Sequence, residues 1–135
     1  MSFEQEFLQT CMQNMQDGLP AEQALKACSW VHFHANRMEE MLAPLKGDLD
    51  GFLAFLSREW GWVITQCGEK ILVDENKNYC VCPLCQAQKM PPLLCNCSEG
   101  FAERMFSYVL NRPVRATVIA SILRGDKSCK YEIVL

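Results

Sequence analysis

Five of the nine cysteines, Cys80, Cys82, Cys85, Cys95 and Cys97, fall within the stretch YCVCPLCQAQKMPPLLCNCSEG that runs from Tyr79 to Gly100. Cys82-Pro83-Leu84-Cys85 is a C-x-x-C whose proline bends the backbone so that two sulfurs can face one point. Nine residues carrying Pro91-Pro92 then return the chain to Cys95-Asn96-Cys97. Four thiolates supplied from two such turns make a tetrahedral zinc site, because zinc is soft enough for sulfur and needs no redox change. The spacing therefore predicts Zn held by Cys82, Cys85, Cys95 and Cys97, with Cys80 and Cys129 as substitutes. Two other readings fit the same residues. One is a set of buried thiols that hold no metal, since cysteine packs as a small apolar side chain. The other is a redox dithiol.

Cys97 has a second reading, because a thiol in the first turn of a helix has its thiolate favoured by the helix dipole. It is the candidate catalytic nucleophile. Such a nucleophile needs a base within hydrogen-bond reach, and the only histidines are His32 and His34, two residues apart and on different sides of one helix. His32 lies one turn from Cys28 and is a candidate ligand contact. Asp126 in Gly125-Asp126 is explained by turn geometry. Glu99 reads as a helix cap paired with Asn96 and Glu103 as a solvated side chain. Trp60, Trp62, Phe101, Phe106 and Tyr131 are candidates to line an apolar pocket, with Met105 on the same helix as Phe101 as a further ligand contact.

These residues need a frame that brings them together. A chain of 135 residues that is 50% hydrophobic supports one domain with a real core, 1–135, divided into a helical part (1–60) and a part with sheet, cysteine loop and inserted helix (61–135). A net charge of -3 gives no basic field, so nucleic acid and membrane surfaces are not expected partners. No apolar run is long enough to span a membrane, and the opening MSFEQEF lacks the positive region and apolar core of a signal peptide. A cytoplasmic location is expected. Thiols stay reduced there, and nine cysteines cannot all pair as disulfides.

Periodicity supplies the elements. Phe3, Phe7, Leu8, Cys11, Met12 and Met15 recur at helical spacing from Ser2 to Asp17, where Gly18 and Pro20 stop the helix. Ala21, Ala24, Cys28, Val31, Ala35, Met38 and Leu42 then step by threes and fours, predicting one long helix to about Met41 with a heptad-like seam. That seam is expected to pack on the first helix or on a second subunit. A third helix is started by Asp48 or Asp50 and ends at Trp60. After Gly61 the period changes to two. Strands are expected at 62–66 and 69–74, a polar turn at 74–78, and a short strand at 79–82. A helix at 97–110, a long strand at 114–123 and a last strand at 129–135 follow. The fold class is α+β: an N-terminal helical layer on a short antiparallel sheet with one helix inserted between strands.

From about Trp60 to Leu135 the chain resembles the 4-vinyl reductase domain and the related amino-thiazoline-carboxylate hydrolase-like family. The residues that carry this are Trp60-Gly61-Trp62, the cysteine before a glycine-containing helix (Cys97 to Phe101), Arg112-Pro113-Val114, and Arg124-Gly125-Asp126-Lys127-Ser128-Cys129-Lys130-Tyr131-Glu132-Ile133. The resemblance implies a ligand-binding fold shared with nitric-oxide sensors and Golgi-transport adaptors, an apolar small-molecule pocket, cysteines that bind metal, and a homodimer through the N-terminal helices. Cys97 and Cys129 match the family's cysteine positions. The chain departs from the family in its denser cluster at Cys80, Cys82, Cys85 and Cys95, and neither haem nor a nucleotide is expected.

Three functions follow as expectations. The first is recognition of a small apolar molecule by Trp62, Phe101, Met105, Tyr131 and His32 beside a zinc-bearing loop. The second is hydrolysis of a cyclic amidine or amide by Cys97 or a metal-bound water. The third is a zinc-stabilised interaction module.

Overall fold

The computed structural model describes residues 2–79 and 95–135. Helix α1 spans Phe3–Gln16, and it starts where it does because Ser2 and Gln5 cap each other. Ser2 Oγ accepts from the Gln5 N–H at 3.2 Å, and Gln5 Oε1 accepts from the Ser2 N–H at 3.0 Å. Its inner side is Phe7 and Cys11, while Leu8, Met12 and Met15 face outward.

The single long helix expected next is broken into three: α2 (Ala21–Ala27), α3 (Ser29–Ala35) and α4 (Met38–Leu42). Side chains take over the backbone acceptors at each break. Ser29 Oγ donates to the Lys26 carbonyl at 2.7 Å and Arg104 donates to the Ala27 carbonyl at 2.8 Å. At the second break Asn36 Nδ2 donates to the His32 carbonyl at 2.8 Å and Arg37 turns the chain through the left-handed region at φ 55°. The breaks redirect the apolar seam, so Ala24, Cys28, Val31, Met38 and Leu42 are buried but Ala21 and Ala35 are exposed. Helix α5 (Leu49–Trp60) is capped by Asp48, whose Oδ1 accepts from the Gly51 N–H at 2.9 Å, and is ended by Gly61 at φ 72°.

Strands β1 (Val63–Cys67) and β2 (Lys70–Asp74) form a hairpin about Gly68 and Glu69. After helix α6 (Cys95–Leu110), β3 (Arg115–Ala120) and β4 (Lys130–Val134) complete an antiparallel sheet of order β1-β2-β4-β3. The architecture is α+β with an N-terminal helical layer. Of the strand expected at 79–82, Tyr79 is not in a strand and the rest lies outside the described residues. Strand β3 ends before the expected Leu123. Ser121 donates its N–H to Asp126 at 2.9 Å and caps a short turn at Ile122–Arg124.

Alternation puts Ile71, Val73, Ala116, Val118, Tyr131 and Ile133 on the one face of the sheet that the helices cover. Helix α6 fits between the layers because Gly100 lets it approach α2 and α3: a Cβ there would meet the Lys26 carbonyl oxygen and the Ser29 side chain. It also closes the sheet's outer edge. Glu99 accepts from the Val118 N–H at 2.7 Å, and Glu103 accepts from the Ala116 N–H at 2.9 Å while pairing with Lys26 at 2.6 Å. Glu99 is therefore an edge clamp and not a cap, and Glu103 is not merely solvated. Spacing of i, i+4 on the helix matches the i, i+2 step of strand N–H groups that would otherwise point away from any partner. Among the described residues no helix is long and apolar enough to cross a membrane.

Candidate functional site

A cavity of about 600 Å³ lies between the helical layer and the sheet. Three elements meet there because each ends at its edge: α5 at Trp60, β2 just before Glu75, and α6 at its first residue, Cys95. Among the described residues its walls are largely aromatic and apolar. Trp60 and Trp62 meet edge to face at 5.4 Å, Trp62 stacks on Tyr131 at 6.3 Å, and the His32 ring lies 4.6 Å from Phe101. Exposed Asn36, Met41 and Glu59 mark the rim. Burial drives the His32 imidazole down from 6.5 to about 4, so at neutral pH the ring is uncharged and behaves as one more aromatic wall.

The floor is polar. Glu75 is 7% exposed, accepts from the Tyr131 hydroxyl at 3.3 Å and is hydrogen-bonded by the Cys129 side chain. The Cys95 thiol donates to Ser121 Oγ at 3.2 Å, the Ile122 N–H donates to Cys129 Sγ at 3.5 Å, and Ser98 hydrogen-bonds Tyr131. Burial raises the Glu75 carboxyl from 4.5 to about 7, offset in part by its hydrogen bonds and by Lys77. Burial also raises the Tyr131 hydroxyl well above its usual value, with Glu75 adding to the effect. Lys77 itself reaches back to donate to the Trp60 carbonyl at 2.8 Å.

Of the side chains read as ligand contacts, His32, Trp62, Phe101 and Tyr131 line this cavity, whereas Met105 is fully buried in the core behind it. Cys97 is elsewhere. It is 2% exposed in a second apolar cluster with Phe7, Cys11, Ala24, Leu25, Cys28 and Val31, and the charge beside it is the Arg104 guanidinium. Cys95 belongs to the sheet-side core and Cys97 to the helical one, because residues two apart on a helix face nearly opposite ways. Cys95 shares the cavity with Cys129, the substitute. Cys80, Cys82 and Cys85 lie outside the described residues. Among the described residues no group of three or more His, Cys, Asp or Glu side chains could hold a metal ion.

Glu75 is the functional candidate that a reading of Asp74 to Asn78 as a polar turn passes over. Its signal is phase: Ile71, Val73 and Glu75 continue the alternation of β2, and the Glu75 N–H still donates to the Cys129 carbonyl at 2.9 Å. The ladder runs one residue past the strand and keeps the carboxylate on the covered face.

Compared with known proteins, the chain matches no family model and none of the curated proteins.

Proposed function

We propose that this protein is a cytosolic small-molecule-binding domain whose cavity takes one largely apolar ligand. The observation that carries this reading is the cavity itself. About 600 Å³ is within the range of small-molecule sites, and an aromatic wall with a few convergent polar groups is their usual lining. Recognition is favoured over hydrolysis by Cys97 because that thiol is packed in the helical core and does not line the cavity. The odd count of nine cysteines, which cannot all pair as disulfides, supports the cytosolic reading.

In mechanism, Trp62, Phe101 and the neutral His32 ring enclose the apolar body of the ligand, and the Glu75–Tyr131 pair at the floor meets its polar end. Titration with the neutral apolar dye Nile red tests this. Saturable binding of one dye per chain with enhanced fluorescence is expected. Trp62→Ala should weaken it by about tenfold, the worth of one aromatic contact. Non-saturable binding, or binding indifferent to Trp62, contradicts it.

A further inference from the structure

Resting on that reading, we propose that Glu75 is the recognition group of the cavity and that its ligand class is an apolar molecule bearing a basic nitrogen, an amine or an amidine. The polar groups of the cavity and the directions in which they point lead there. Glu75 is a carboxylate at the end of an otherwise aromatic enclosure, and Tyr131 and Cys129 act toward it as donors. The carboxylate is thus held in place with acceptor capacity to spare, because two oxygens offer about four lone-pair sites.

Among the described residues the charged side chains that line the cavity are Glu75, Lys77 and Glu59, the last of which is paired with Arg58. The Lys77 ammonium donates to the Trp60 carbonyl at 2.8 Å and is not ion-paired with Glu75, which leaves the carboxylate oxygens open to a ligand donor. Trp60 and Trp62 beside it offer the ring faces on which a cation is stabilised. An anionic ligand would meet Glu75 with like charge in a poorly solvated space, and a neutral one would add no opposite charge beyond that of Lys77. A protonated amine meets it with a charge-assisted hydrogen bond.

A pH dependence follows from the groups around the carboxyl. Tyr131 and Cys129 on and beside β4, Lys77 and Asp74 on its own segment, and the neutral His32 across the cavity leave Glu75 with a value near 7. Amine affinity therefore rises as Glu75 ionises, between about pH 6 and about pH 8.

The test is equilibrium dialysis of the whole chain against three probes of one shape: naphthylmethylamine, naphthylmethanol and naphthoate. At about pH 8 the amine is expected to bind at least about tenfold more tightly than the alcohol, as one hydrogen bond between charged groups gives, and more tightly still than the acid. Glu75→Gln, which keeps the size of the side chain and removes its charge, is expected to abolish the preference for amine over alcohol. Equal affinity for amine and alcohol in the wild-type chain overturns the role of Glu75 and leaves the apolar pocket standing, as does a preference for naphthoate, which would make Lys77 the recognition group. Failure of all three probes to bind overturns the pocket as well.

Discussion

At the scale of single residues, two titratable groups of the cavity, His32 and Glu75, pull stability in opposite directions. His32 has a folded value of about 4 against 6.5 for the free side chain, so its contribution is complete above 6.5 and is lost as pH falls toward 4. Glu75 has a folded value of about 7 against 4.5, so its contribution is complete below 4.5 and is lost as pH rises toward 7. The Glu75 loss is on the order of 3 kcal/mol, since a tenfold change in proton affinity is worth roughly 1.4 kcal/mol. Thermal unfolding followed against pH separates the two. Glu75→Gln is expected to remove the decline on the alkaline side, and His32→Phe, which keeps a ring against Phe101, the decline on the acid side. An alkaline decline that persists in Glu75→Gln would place its cause in another group. At this scale the sequence was legible wherever the residue type announces its role: Trp62, Phe101, Tyr131 and His32 stand at the cavity, where large rings bury most of their surface against one another. Glu75 was not, because a glutamate among Asp74, Asn76 and Lys77 looks like a turn until the register with β4 is known. Nor was the separation of Cys95 from Cys97, which follows only once both are seen to lie on the helix.

At the scale of elements, α6 organises the molecule. One side approaches α2 and α3 through Gly100, a second supplies Cys95, Ser98 and Phe101 to the cavity, and a third closes the sheet edge through Glu99 and Glu103. Gly100→Ala puts a methyl against the Lys26 carbonyl oxygen, a contact with backbone that no side-chain rotation relieves. It is expected to cost about 3 kcal/mol, seen as a fall of roughly 10 °C in the melting temperature. An unchanged melting temperature would mean that the helices are not so closely apposed. The existence and order of the helices and strands were readable from periodicity, since Gly18, Asp48, Gly61 and Pro113 punctuate the chain. The breaks at Cys28 and Asn36 were not. They depend on Arg104, far along the chain, and on Arg37 adopting a left-handed backbone, neither of which leaves a trace in the local pattern. The role of Glu99 and Glu103 was hidden for the same reason: their partners are backbone N–H groups of β3.

At the scale of the whole molecule, helices cover one face of the sheet, the cavity sits between the layers, and α1 lies on the far side of α2 and α3 with Leu8 and Met12 more than half exposed, at 54% and 55%. Together with Met15 they form an exposed apolar stripe, the surface on which a homodimer through the N-terminal helices would have to pack. Sedimentation at micromolar concentration is expected to show a dimer in the wild-type chain and a monomer in Met12→Glu, and a wild-type monomer contradicts it. The cavity remains the claim on which the functional account turns. NMR of the labelled chain during titration with Nile red tests it most directly. Shifts concentrated on the rings of His32, Trp62, Phe101 and Tyr131, saturating together, are the predicted result. Shifts confined to the exposed stripe of α1, with those four rings unmoved, would contradict it.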